Sequence, residues 1–541
     1  MNDFIIMDYR IIENNEEETP KRLVLTSSPL TMGDLIAIAN GQCYFDIPTT
    51  AMQRVAEGRR VFLSAMQSGQ AIYGATTGVG AMKTKTLNAE NSTIQLETFH
   101  RTLPLAHQVA TGEALPASVS RLTMALRLNT ALSGAVGVSE SFITLLFAML
   151  KNDLLPILHR RGSVGCADLG QMGELAAVMS GHGETVLRGE KMPAAAAFKK
   201  CHLSPHMMPA RDGLAAVASN SYGVGFAALV ISHAAFMVRR AMLQGLASAQ
   251  ALGLDRYVWQ TAVFIGQAVE REVAQWMLTS YGTAGDKPRS RTVHDPLSGR
   301  MLVQILAGTL SAVAETTTSI TEASAQIDDN PIVYGNRVVT SGGSLLVTLG
   351  LRLAMVQNAL SLLGRNILNR CQLLCNGQID GLPVNLVPEN IIATGYGPLM
   401  KLAMEQSVRI AAESGPLPRL AQTLSAGLED EAMLIPLTVE KISSQLDALE
   451  WLLAIEAILV SQALDLQQVE KTPIASKLYQ VVRTYLTPLQ QDIPLSQPLG
   501  EIHKALRQSN FLTTLLDQYP LEPFDTELGL IKGSKKTTQK I

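Results

Sequence analysis

Two short stretches carry the residues best suited to chemistry. In Tyr73-Gly-Ala-Thr-Thr-Gly-Val-Gly80 a tyrosine opens a glycine-rich loop. The loop lacks the Gly-Lys-Ser/Thr ending of a phosphate cradle. A phenol there is a base only if its neighbours lower its pKa. In Arg161-Gly-Ser-Val-Gly-Cys-Ala-Asp-Leu-Gly170 one thiol, Cys166, is followed by Ala167 and Asp168. Such a thiol is either a nucleophile or a small buried hydrophobe. Arg300 offers the planar fork that suits a carboxylate. Taken alone, Arg300 and Glu429 also read as an ordinary ion pair, and His107 as a hydrogen-bonded core imidazole. No metal site is expected: Cys371 and Cys375 stand four apart in a helical pattern, and Pro205 separates His202 from His206.

Composition narrows the classes. Hydrophobic residues make up 47% of the 541, charged residues 17% and aromatics 5%. That mix supports a large aliphatic core and favours helix over sheet. The net charge is −3 with no basic stripe, so nucleic acid is not an expected partner. Lys287, Arg289 and Arg291 read as a solvated loop. Five cysteines form no disulfide framework. The N-terminus shows no basic region followed by an apolar run, and the apolar segment 227–254 contains Arg239 and Arg240. These features predict a soluble cytoplasmic protein with no membrane span.

The elements that must position the chemistry are mostly helices. Helical periodicity runs through 118–134, 213–250, 258–278, 344–374 and 437–466. Strand signals are short, at 22–25, 332–334 and 337–340. The expected architecture is mainly α, a long-helix bundle with a smaller mixed N-terminal part. The chain divides into a flexible leader (1–22), an N-terminal region bearing the active-site loops (23–215), a central and C-terminal helical bundle (216–530) and a flexible tail (531–541).

Further stretches fall in a set order with the two loops, His107-Gln-Val-Ala-Thr-Gly-Glu113 and Arg127-Leu-Asn129 between them, and Gly181-His-Gly-Glu184, His294-Asp-Pro-Leu-Ser-Gly-Arg300, Asp329-Asn-Pro331, Ser341-Gly-Gly343 and Glu429-Asp430 after them. From about Leu30 to about Gln467 the chain resembles the aromatic amino acid ammonia-lyase and aminomutase family, which includes the histidine, phenylalanine and tyrosine ammonia-lyases. The resemblance implies the fold just described, assembled as a homotetramer with shared active sites, and an amino acid-like substrate. It also implies roles. Tyr73 matches the catalytic base that takes the β-proton. Arg300 matches the arginine that pairs with the substrate carboxylate. His107 and Asn330 match pocket positions, and Glu429 lies near the substrate amine.

The same resemblance exposes a gap. The family builds its electrophile, methylideneimidazolone, from an Ala-Ser-Gly triplet. The third residue's nitrogen attacks the first residue's carbonyl, and water lost from the serine leaves a methylene. Where the family has Val-Gly-Ala-Ser-Gly-Asp-Leu, this chain reads Val164-Gly-Cys-Ala-Asp-Leu169, one residue short. If Cys166 replaces the first Ala, no Ser or Gly remains. If it stands at the Ser position, it has a leaving group, but Ala167 is third. Other expected partners are lost too. The family's second tyrosine is Leu297, the asparagine that steadies the electrophile is Ala218 with Asn220 as a substitute, and the Gln before Asp295 is His294. Ser344, Leu345 and Leu346 replace Asn-Phe-His, so His107 with the two leucines makes a mixed pocket wall. Cys166, Ala167 and Asp168 therefore read as a degenerate cofactor loop, with Asp168 capping the helix that follows, and no cofactor is expected.

Three functions stay open at this level. One is an ordinary ammonia-lyase or aminomutase. The second is a lyase-fold enzyme using Tyr73, Arg300, Glu429 and Cys166 or His294 to expel a better leaving group than ammonia. The third is a non-catalytic scaffold or partner subunit.

Overall fold

The computed structural model describes residues 20–86, 92–282, 294–417, 420–508 and 511–531. The basic loop at 287–291, the acidic run at 16–18 and the tail from 533 lie outside these. The described chain is mainly helical, as its composition predicts. It divides into two compact units. The first holds Met1–Ser232, Thr317–Leu353 and Pro416–Val439, and the second His233–Thr316, Ala354–Gly415 and Glu440–Ile541.

Every described strand belongs to the first unit. Lys21–Val24 pairs in parallel with Cys43–Asp46. Thr111–Ala114 pairs antiparallel with His159–Arg161. Leu154–Pro156, Glu184–Leu187 and Glu190–Pro193 form a three-stranded antiparallel sheet. Ile332–Tyr334 and Arg337–Val339 form the hairpin expected around Gly335-Asn336. Most of the other strands carry no alternating pattern, because they are three or four residues long and supported by neighbouring helices.

The long windows become long helices: Ala117–Ala131, Val347–Cys375 and Ile435–Gln467. Two windows break. The window 213–250 becomes Asp212–Val217 and Ser221–Leu252, interrupted at 218–220 where the chain serves the site below. The window 258–278 becomes Tyr257–Ile265 and Ala268–Tyr281. Gly266 ends the first, and Gln267 with Glu270 forms a reciprocal cap that starts the second.

The first unit carries buried charge at its centre. Arg127 is fully buried within Ala117–Ala131. Its guanidinium grips Asp329 with two bonds, at 2.8 and 3.0 Å, and Arg211 donates to the same carboxylate at 2.5 Å. Removing one partner would leave an uncompensated buried charge, so the cluster fixes the segment around Asp328–Asn330. Cys371 and Cys375 are buried and unpaired in the second unit, packed in their helix.

Two helical stretches are long and apolar enough to cross a bilayer. The most apolar window of Asp212–Leu252 is 94% buried, which marks a core helix, and that of Val347–Cys375 is half buried.

Candidate active site

Three loops of the first unit meet around Tyr73. After Ile72 the backbone turns sharply: the Ile72 carbonyl accepts the amides of Ala75, Thr76 and Thr77. Gly74 has φ +65°, and a Cβ on it would meet Leu214 at 2.4 Å, so glycine is required. The turn aims the Tyr73 phenol back at its own loop, where its oxygen accepts the Gly80 amide at 2.8 Å. The second loop, Leu424–Glu429, closes on itself through paired backbone bonds between its end residues. A Cβ on Gly80 would lie 3.6 Å from Ser425 Oγ, so these two loops are neighbours.

The third loop carries Cys166. Its bends are set by Ser163, whose hydroxyl donates to Asp168 at 2.5 Å and accepts the Gly165 amide at 2.9 Å. The Leu434 amide donates to the Val164 carbonyl at 2.9 Å. Gly165 has φ +71°, and a Cβ there would stand 2.7 Å from the Ile435 backbone nitrogen. The Cys166 sulfur lies 3.9 Å from the Ser344 hydroxyl.

Tyr73, Cys166 and Glu429 lie close enough to feel one another's charge. Burial pushes the Tyr73 phenol up, the Gly80 amide pulls it down, and Glu429 and Cys166 raise it further. Burial also pushes the Cys166 thiol up, with Ser344 opposing and Glu429 and Asp168 adding to the rise. Both groups are therefore neutral near neutral pH. A thiol held this way is a poor nucleophile, which favours the packing role for Cys166.

Asp168 corrects one expectation. Its carbonyl accepts the first helical bond, from Met172, but its side chain caps nothing in that helix. Instead Oδ2 accepts the amide of Gly223 at 2.7 Å, in the first turn of Ser221–Leu252. The break at 218–220 leaves that helix end with free amides, and Asp168 satisfies one. Asn220, rather than Ala218, serves the loop. Its Oδ1 accepts the Ala167 amide at 3.0 Å and its Nδ2 donates to the Ser344 carbonyl at 2.8 Å. Asp328 holds Asn220 in turn by accepting its backbone amide. Asp328 is buried and went unmarked in the sequence, where only its neighbours in Asp329-Asn-Pro331 matched a motif.

His107 and Asn330 have separate partners. His107 Nδ1 donates to the Leu103 carbonyl at 2.8 Å, which leaves Nε2 free of that bond on a half-buried ring. Asn330 Oδ1 accepts the Ser341 amide at 2.9 Å. Arg300 ends the short helix Leu297–Arg300 of the second unit, and its buried Nε has no hydrogen-bond partner among the described residues. Leu346 is a further correction. It is buried in the core, where it lines a small cavity of about 10 Å³ with Asn220 and Asp328, rather than facing outward beside His107. Among the described residues, no cluster of three or more His, Cys, Asp or Glu is arranged to hold a metal ion.

Tyr73, Cys166 and Glu429 thus share one neighbourhood, and comparison with known proteins gives the class. Residues 30–484 match the aromatic amino acid lyase family model. The chain belongs to that family and is an enzyme of the lyase type. It is 27% identical over 490 residues to a probable histidine ammonia-lyase of Thermoplasma volcanium, covering 89% of this chain and 98% of that protein. It is also 27% identical over 388 residues to histidine ammonia-lyase of Treponema denticola, covering 70% and 75%. Among solved structures, the Treponema denticola ergothionase, an ergothioneine-degrading enzyme, superposes with a TM-score of 0.85 at 23% identity, covering 93% of this chain and all of that one. Histidine ammonia-lyase of Trypanosoma cruzi superposes at 0.81 with 20% identity, covering 96% and 100%. At these identities the two structures establish the fold.

Proposed function

We propose that this enzyme eliminates a leaving group from an amino acid or related carboxylate without a methylideneimidazolone ring. One observation carries the reading. Ring closure needs a free backbone nitrogen in third place, which is Asp168 or Ala167 depending on how the triplet is aligned. Both amides are committed elsewhere: Ala167 donates to Asn220 at 3.0 Å, and Asp168 donates to the Ser219 carbonyl at 2.9 Å. Neither alignment supplies the glycine that would ease closure. The residues present do not fit the group.

Without the ring, the leaving group must depart unaided. The site suits one that carries fixed positive charge, since Glu429 supplies the charged side chain beside two neutral groups. A cation placed there also reverses the push on Tyr73. Beside it the phenol loses its proton more readily, and the Gly80 amide stabilises the resulting oxyanion. Tyr73 then takes the β-proton, the C–H electron pair becomes the new C=C bond, and the Cα–N bond breaks with its pair going to the amine. Glu429 faces the amine and His107 and Asn330 contact the side chain, while the family resemblance assigns the carboxylate to Arg300 in an active site shared among subunits. The names of the similar proteins recommend histidine and ergothioneine as first trial substrates.

The apolar residues exposed on Gly397–Ala412, Met404 and Val408, and Leu362 on Val347–Cys375, fit burial against further copies in a homotetramer.

Intact mass, a near-ultraviolet difference spectrum and product assays test the reading together. The expected result is an unmodified chain mass, no ring absorbance, and release of a tertiary amine from an α-trimethylammonium acid faster than ammonia from the parent amino acid. A mass lowered by two waters, or a cinnamate- or urocanate-like product from Phe, Tyr or His, overturns it. Absence of turnover together with co-purification of a second lyase-like chain would favour a partner-subunit role.

A further inference from the structure

The second unit contains a buried titratable cluster that takes no part in the proposed chemistry. Glu450, in Ile435–Gln467, is 1% exposed. Two imidazoles from two other helices address its two oxygens. His233 Nε2, from Ser221–Leu252, lies 2.9 Å from Oε1. His503 Nε2, from Ser496–Gln508, lies 3.3 Å from Oε2. Arg507, one turn beyond His503, approaches Oε2 at 3.8 Å. The His503 ring also stacks on the indole of Trp451, with centroids 3.9 Å apart and planes 9° from parallel.

We infer that Glu450, His233 and His503 form a proton-operated latch holding the Ser496–Gln508 helix to Ile435–Gln467, tighter when the imidazoles are protonated. The geometry supplies the reason. The His503–Glu450 approach lies off hydrogen-bond alignment, and neither Nε2 nor Oε2 has a hydrogen-bond partner among the described residues. A neutral imidazole there leaves two buried polar atoms poorly satisfied. An imidazolium makes an ion pair, which depends on distance more than direction, and adds a cation–π contact with Trp451. His503 is 9% exposed, so its ring sits at the edge of the cluster, within reach of solvent protons.

The surrounding charges bear on the latch from each helix. On Ser221–Leu252 the Arg240 guanidinium faces Glu450 and Glu456. On Ile435–Gln467 the Asp447 carboxyl is pushed up by burial and by Glu450, with His503, Arg507 and His233 opposing. On Ser496–Gln508 Arg507 faces Glu450. Burial alone would raise the Glu450 carboxyl, but the two imidazoles and Arg507 outweigh it and hold the group well below the usual carboxylate range. Glu450 therefore stays ionised near neutral pH and presents a fixed negative charge to the two rings.

Trp451 reports the latch, because a stacked imidazolium quenches indole emission and a neutral imidazole quenches it less. The experiment follows tryptophan emission of the full-length protein from about pH 5.5 to about pH 8.5, subtracting Trp451→Phe to isolate the Trp451 signal. Hydrogen exchange of residues 496–508 is measured at both ends and corrected for intrinsic rates. The Trp451 signal should rise about two-fold on raising the pH, and exchange of the helix should quicken about tenfold. His503→Gln, which keeps a donor toward Glu450, should abolish the emission change. Glu450→Gln should move its midpoint to lower pH. Circular dichroism establishes that each variant is folded. A flat Trp451 signal, a titration that survives His503→Gln, or equal exchange protection at both pH values overturns the latch.

Discussion

Asn220 holds the amide of Ala167 at 3.0 Å through its side-chain oxygen, while Ala167 itself sits at φ +57°. A non-glycine residue in the left-handed region is strained, and here the strained residue adjoins Cys166 in the loop that faces Tyr73. The bond and the strain belong together: Asn220 and the Gly165 turn hold Ala167 in a conformation it would not choose.

Ala167→Gly should release that strain. The folded state gains about 1 kcal/mol, partly offset by the greater freedom of the unfolded chain. Thermal unfolding should show an unchanged or slightly higher midpoint. Asn220→Ala should cost about 1–2 kcal/mol, because it leaves the Ala167 amide and the Ser344 carbonyl without partners. A lower midpoint for Ala167→Gly than for Asn220→Ala would contradict this account.

Gly165→Ala should be among the most damaging single-methyl changes. The new Cβ would stand 2.7 Å from the backbone nitrogen of Ile435 at a residue with φ +71°. Backbone atoms cannot rotate away as a side-chain tip can, so a loss of about 2 kcal/mol or more is expected in denaturant unfolding.

Tyr73→Phe separates chemistry from stability. The substitution removes one hydrogen bond, from the Gly80 amide, worth about 1 kcal/mol. Turnover of any substrate identified should fall by at least about a hundredfold if the phenol is the base. Activity within a few-fold of the parent would assign proton abstraction to another group.

Stability should fall as the pH rises from about 4 toward neutrality. Asp168 and Asp328 are buried, and burial pushes their carboxyls up to about 7 and about 6. Each binds its proton more tightly folded than unfolded. Their contribution is full below the unfolded value near 4 and is lost as pH rises through the folded values. Asp168→Asn mimics the protonated acid and can still meet Gly223 and Ser163. Calorimetry should show the parent's midpoint dropping between about pH 4 and about pH 7, with a shallower drop in the variant.

The apolar helix faces predict assembly. Met404 and Val408 are one turn apart on Gly397–Ala412 and both exposed. Replacing both with Asp should lower the mass measured by light scattering from that of a tetramer, with helicity retained. An unchanged mass would place the interface elsewhere.

The sequence by itself determined the class of fold, the long helices at 117–131, 347–375 and 435–467, and the family, because apolar periodicity and ordered motifs are local properties of the chain. It also marked Tyr73, Glu429 and the altered Cys166 loop. What it did not contain was direction. Asp168 looks like a cap for the helix it precedes, yet its carboxylate serves the start of Ser221–Leu252, because the break at 218–220 exposes amides that only a distant acceptor reaches. Leu346 looks like a pocket wall and is core. Asp328 carries no motif, yet it anchors the asparagine that holds the loop. Those assignments depend on which buried donors lack partners, and that is decided only when segments more than fifty residues apart are packed together.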